Sequence, residues 1–122
     1  MSEKKPEKIG LPKDYHARKA LPLYSFYTEY FPLAQIELVK VAVAGNVQHN
    51  PGEPLHWARG KSMDQLNTAF RHLVDHGMGE TFDEDPTIDA LTGFKVMHLA
   101  KAAWRILAEI QLLCEARAGG EK

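Results

Sequence analysis

Four carboxylates, Glu80, Asp83, Glu84 and Asp85, stand within six residues in the stretch Gly79-Glu80-Thr81-Phe82-Asp83-Glu84-Asp85. Clustered carboxylate oxygens suit Mg²⁺, a hard ion that keeps several waters and bridges to substrate phosphates. The same residues also suit a plain acidic lead-in to a helix, since Asp and Glu complement the dipole at a helix N-terminus. A further carboxylate, Glu37, lies inside the apolar run Leu33 to Ala44. At about 100° per residue it shares an azimuth with Leu33, Lys40 and Ala44 and is flanked by Ile36, Val41 and Val43. A charge in such a place is costly unless it is paired or metal-bound. Lys40, three residues on, offers the structural partner, and a cation the functional one.

Cations and aromatics supply the rest of a binding chemistry. His98, Lys101 and Arg105 recur at i, i+3 and i+7, continued by Glu109, as a polar stripe along a helix. Such a row could hold the phosphates of a triphosphate, with Arg the better fork for paired oxygens, although a solvated face has the same pattern. His72 and His76 at i, i+4 resemble half of a zinc site, but the Glu and third ligand of H-E-x-x-H are missing. Helix-surface histidines near Asp75 account for them as well. Between Asn50-Pro51-Gly52 and Lys61 lie His56, Trp57 and Arg59, with His49 just before. An indole among cations is a stacking platform for a base, or an anchor for the loop. No P-loop, dinucleotide glycine fingerprint or G-x-S-x-G elbow is present, and the single cysteine, Cys114, falls in an apolar helical pattern, so nucleophilic catalysis has no candidate.

The elements that must position these groups are helical. Residues 1–20 mix Lys, Glu, Pro and Gly without apolar period and are expected to form a flexible tail. Leu21 to Phe31 carries five aromatics and is a short helix candidate whose rings need a partner surface. Pro32 fits a first helical turn, the helix then running from Leu33 to Ala44 and stopping at Gly45-Asn46. Val47 to Lys61 holds too many breakers for helix or strand and is expected as a long loop. Ser62 and Gln65 have capping-box spacing, and Met63, Leu66, Phe70, Leu73 and Val74 mark the apolar face of a helix ending at Gly77. A last helix is expected from about Ile88 to Ala116, closed by Gly119-Gly120, with Val96, Leu99, Ala100, Ala103, Leu107, Ile110 and Cys114 as its apolar face. No stretch alternates with period two, and no internal repeat is present. The expectation is one all-α domain over residues 21–117, a small bundle of three core helices completed by oligomerisation, with a C-terminal tail at 118–122.

Composition narrows the partners. Fifteen Lys and Arg against sixteen Asp and Glu leave no field for duplex nucleic acid. A lone cysteine fits a reducing compartment, and the charged N-terminus and lack of eighteen consecutive apolar residues predict neither export nor a membrane span. Cytoplasmic placement is therefore expected, in the host if the gene is a phage's.

The succession Pro32-Leu33 … Glu37, His56-Trp57-Ala58-Arg59-Gly60-Lys61-Ser62, Arg71-His72-Leu73, Gly79-Glu80 … Asp83 and His98-Leu99-Ala100-Lys101 … Ala103-Trp104-Arg105 resembles the small phage proteins described as dATP/dGTP pyrophosphohydrolases. That family is related to the MazG-type all-α NTP pyrophosphohydrolases. The resemblance covers roughly residues 21–114. It implies hydrolysis of a purine (deoxy)nucleoside triphosphate to monophosphate and pyrophosphate with Mg²⁺ or Mn²⁺, by a dimer or tetramer. Glu80-Thr81-Phe82-Asp83 matches the superfamily's E-x-x-D, whereas its E-E-x-x-E is reduced to Glu37, with Gln35 and Lys40 nearby. The implied metal ligands are Glu37, Glu80 and Asp83, with His72, Asp75 or His98 completing the set. The implied catalytic groups are Glu37, His72 and Asp83, the phosphate contacts Lys61, Arg71, Lys101 and Arg105, and the base contact Trp57. A non-enzymatic helical adaptor, docking through Tyr24 to Phe31, is the rival from another class, and a helical nucleic-acid module using Lys101 and Arg105 is a second.

Overall fold

A few prolines, glycines and capping side chains set where the helices begin and end, and the computed structural model shows them for residues 9–60 and 63–120. Asp14 opens α1 (Tyr15–Lys19) by accepting a hydrogen bond from the Ala17 N–H at 3.0 Å. The next helix, α2 (Leu23–Ser25), runs into a π-helical turn, Phe26–Tyr30. Its rings pack edge to face on one another, Phe26 lying 5.2 Å from both Tyr27 and Phe31.

Pro32 starts α3 (Pro32–His49) at the position where its missing N–H has no partner to lose. The expected stop at Gly45-Asn46 does not occur, and the helix continues to His49. It ends at Asn50, the residue before Pro51, where the proline ring disfavours the helical region. Asn46 is not a cap but a tether: its Nδ2 donates to the Glu53 carbonyl at 2.9 Å and folds the following loop back on α3. The non-helical excursion thus begins at Asn50 rather than Val47. Helix α4 (Gln65–Gly77) starts later than the capping-box spacing predicts, after Asp64, which accepts from Asn67 Nδ2 at 2.8 Å. Ser62 lies outside the described residues.

The long helix expected from Ile88 to Ala116 is two helices. Asp85 caps α5 (Pro86–Thr92) through the Ile88 N–H, Pro86 occupies its first turn, and Gly93 closes it at φ +84° with its N–H on the Asp89 carbonyl at 2.8 Å. Pro just inside the start and Gly just past the end is the usual asymmetry of helix termini. The chain then runs without regular structure to Met97, which forms an isolated antiparallel bridge with Phe82, and α6 (His98–Gly120) begins. It passes through the residues 118–120 assigned to the tail. Since no heavy atom lies within 4 Å of a Cβ built on Gly93, Gly93→Ala carries only the backbone cost of the left-handed region. A destabilisation of about 1 to 2 kcal/mol is expected, read as a melting midpoint several degrees lower. An unchanged midpoint would refute Gly93 as the break.

Helix α4 packs along α6, and α3 rests on α6 and α5, while α3 and α4 do not meet among the described residues. The chain is thus an all-α small bundle. Among the described residues the buried apolar ones are Ala44, Ala69, Val96, Ala100, Ala102 and Ala108. Small side chains let helix axes approach closely but fill little volume. The expected apolar faces are largely turned outward: Met63, Leu66, Phe70, Leu73 and Val74 are exposed, as are Leu99, Ala103, Leu107 and Ile110. Only Val96 and Ala100 of the last predicted face are buried, with Cys114 half-buried. In their place the polar row beginning at His98 faces inward. No helix among the described residues is long and apolar enough to cross a membrane.

Candidate active site

Two backbone hydrogen bonds pin the acidic loop to the start of α6. The Asp83 N–H donates to the Val96 carbonyl at 2.8 Å, and the His98 N–H donates to the Thr81 carbonyl at 3.0 Å. They bring Glu80 and Asp83 to His98, while the packing of α4 on α6 brings His72. The His98 ring is only 2% exposed. Its Nε2 lies 3.3 Å from Glu80 Oε2, and its Nδ1 lies 2.9 Å from His72 Nδ1 and 3.9 Å from Asp75 Oδ2. One donor atom from each of His72, Asp83 and His98 falls within 4.8 Å of the others, and the same holds for Asp75, Glu80 and His98.

One turn further along α6, Lys101 donates to Asp83 Oδ2 at 2.6 Å. Burial pushes the Asp83 carboxyl up, but the Lys101 hydrogen bond and charge, with His98 and His72 nearby, outweigh it and hold the group below the usual carboxylate range. Burial, reinforced by the Lys101 charge, pushes His72 below the ordinary histidine value.

The cluster opens onto a cleft of about 970 Å³ between α3, the loop at 50–60 and α6. Its lining includes His72, Asp83, Lys101, Arg105, Trp57 and Asn46. Trp57 is half-buried edge to face on Trp104, with ring centroids 6.1 Å apart. The Arg59 guanidinium sits 4.3 Å above the Trp57 ring and is tied to Glu115 Oε2 at 2.7 Å, which clasps the loop to α6. Arg105 donates to Gln65 Oε1 at 3.2 Å, and burial lowers its pKa, with the Arg71 charge adding to the effect.

Other predicted site residues stand apart. Glu37 is ion-paired to Lys40 at 2.8 Å, and it neither lines the cleft nor belongs to either donor group. Arg71 is exposed and donates to Asp64 at 3.1 Å and Thr68 at 3.0 Å instead of facing the cleft. Hydrogen bonds from Arg71 and Asn67 hold the Asp64 carboxyl low. His76 is exposed and belongs to neither donor group, and Lys61 lies outside the described residues. Trp104 and the Arg59–Glu115 clasp carried no assigned role in the sequence. The tryptophan follows Lys101 by three residues, a helical spacing that could have placed it on the same cleft, but the clasp spans 56 residues and leaves no local signal.

Two imidazoles with carboxylates suit a divalent ion that accepts nitrogen as well as oxygen, Mn²⁺ more readily than Mg²⁺. The donor set therefore fits a divalent cation. The family described as dATP/dGTP diphosphohydrolase, N-terminal, matches residues 13–121, while no curated protein and no solved structure matches the chain. With a match that spans nearly all of the helices and both halves of the cleft, the chain belongs to the dATP/dGTP diphosphohydrolase N-terminal domain family.

Proposed function

We propose that the protein hydrolyses a purine (deoxy)nucleoside triphosphate between its α and β phosphates, water being consumed and a monophosphate and pyrophosphate released. The observation that carries the reading is a nucleotide-sized cleft that joins an aromatic and cationic wall to the His72, Asp83 and His98 cluster, in a family named for dATP and dGTP. His72, Asp83 and His98 would hold a divalent ion, Mn²⁺ or Mg²⁺, which when bound supplies Lewis acidity and positive charge to the phosphates. Lys101 and Arg105 offset phosphate charge on the same wall, and Trp57, braced on Trp104, offers a face to the base. Glu80 accepts from His98 Nε2 and orients that ring. The reading keeps kinship with the MazG-type enzymes, and a reducing cytoplasm as the setting for half-buried Cys114.

The test is a panel of ribo- and deoxynucleoside triphosphates incubated with Mn²⁺ or Mg²⁺. Release of monophosphate plus pyrophosphate that stops with a chelator supports the reading. Its absence with every ion, together with a protein partner in pulldown, favours the adaptor. Glu37→Gln is expected to leave turnover intact and to lower stability by no more than about 1 kcal/mol, because it only breaks a partly exposed i,i+3 pair. Lost turnover with an unchanged melt would return Glu37 to the site.

The outward Leu, Ile and Phe faces support an assembly of two or four copies. Among the described residues the buried apolar ones are five alanines and Val96, while larger side chains such as Leu66, Phe70 and Ile110 are exposed, and a second copy would cover them.

A further inference from the structure

Two imidazole Nδ1 atoms 2.9 Å apart face each other inside the protein. The contact needs either a proton on one ring only or a cation between the two. Glu80 bears on the choice: as the acceptor beside His98 Nε2, it favours the proton on that nitrogen and leaves Nδ1 with a lone pair directed at His72. A carboxylate behind an imidazole in this way is the arrangement that orients histidine ligands of metals. Two nitrogens bound about 2.1 Å from one ion at a right angle lie about 3.0 Å apart, close to the spacing seen. Asp83 completes a nitrogen, nitrogen, oxygen face, and its present counter-ion is the Lys101 ammonium at 2.6 Å.

We propose that His72, Asp83 and His98 form a transition-metal site in which the Lys101 ammonium occupies the cation's place at rest, so that metal entry displaces Lys101 into the cleft. The inference deepens the metal-dependent reading above and rests on it for the entry of an ion. Nitrogen donors select ions such as Mn²⁺, Co²⁺ or Zn²⁺ over Mg²⁺, which dehydrates reluctantly and favours oxygen. An ion on Asp83 would set two positive groups against each other within a few ångströms, and Lys101, which already lines the cleft, can relieve the repulsion by moving toward phosphate. Metal loading and readiness of a phosphate-binding cation are thereby coupled through one carboxylate.

Co²⁺ titrated into the metal-free full chain at neutral pH, followed by its visible absorption, tests the site without any turnover. One Co²⁺ per chain with an imidazole-containing spectrum is expected, undisplaced by a tenfold excess of Mg²⁺. His72→Ala and Asp83→Asn, checked for folding by circular dichroism, are expected to weaken Co²⁺ binding about tenfold or more, and Lys101→Met to tighten it. Unchanged Co²⁺ affinity in folded His72→Ala, or ready displacement by Mg²⁺, overturns the site. Unchanged or weaker binding in Lys101→Met overturns the exchange. Mg²⁺-supported pyrophosphate release by His72→Ala would overturn this inference and leave the hydrolase standing, whereas Co²⁺ bound as described with no triphosphate cleaved by the unsubstituted protein would do the reverse.

Discussion

Asp83→Asn is expected to reduce metal-dependent pyrophosphate release about a thousandfold or more while leaving a folded protein. The carboxylate is the anionic member of the His72, Asp83, His98 group, and with no ion present it pairs with Lys101. Removing one preorganised charge beside a reacting phosphate typically costs 10² to 10³ in rate, and loss of the ion's Lewis acidity adds to it. Asn keeps the volume and shape of Asp, and the backbone link from residue 83 to Val96 is untouched. The stranded Lys101 is 27% exposed in its side chain and can turn to solvent, so the stability change should stay near about 1 kcal/mol. A double variant with His72→Ala should lose little beyond either single, because ligands of one ion act as a unit. Full activity in Asp83→Asn would remove the residue from the site, and an additive double would separate it from His72.

Part of this candidate site is legible in the sequence. The acidic loop, His98 and the cationic row were visible as residue types at helical or motif spacing, and the E-x-x-D letters pointed to Glu80 and Asp83. What spacing could not show was their order in space. The bridge between Phe82 and Met97 turns the loop back on α6, so that Glu80 stands behind His98 and Asp83 against Lys101. Glu37 illustrates the opposite case. Its azimuth in an apolar helix allowed a metal or an ion pair, and the geometry supplies the pair with Lys40, at 2.8 Å.

The helices were legible in type and less so in extent. Period 3.6 marks a helix and Pro32 marks a start, but Gly45 reads as a stop in the sequence whereas the helix runs on to the residues before Pro51. Gly93 lies inside a periodic stretch that masks the break, and it has the positive φ of a helix end. The inversion of faces has a different cause. An apolar stripe identifies a surface that needs cover without saying whether the cover comes from the same chain. Leu66, Phe70 and Val74 of α4 are exposed, whereas Gln65 and Ala69 of the same helix, which packs on α6, are buried.

That inversion yields the second large effect, Ile110→Glu. On α6, Leu99, Ala103, Ile106, Ile110 and Leu113 recur at intervals of four, three, four and three, the spacing of a coiled-coil seam, and all five are exposed. Within one chain the substitution is mild, since Ile110 is already 52% exposed and Glu is the better helix former. Within an assembly that buries the seam the same carboxylate loses its water without a partner, a cost of about 3 to 5 kcal/mol, and two-fold symmetry places it there twice. Association should weaken roughly a thousandfold or more, so that light scattering at micromolar concentration shows a multiple of the chain mass for the unsubstituted protein and the single-chain mass for the variant. Secondary structure should be retained, because each monomer keeps its Ala-lined contacts. An unsubstituted protein that is monomeric at those concentrations, or a variant that keeps the parent mass, would show that the seam is not the interface.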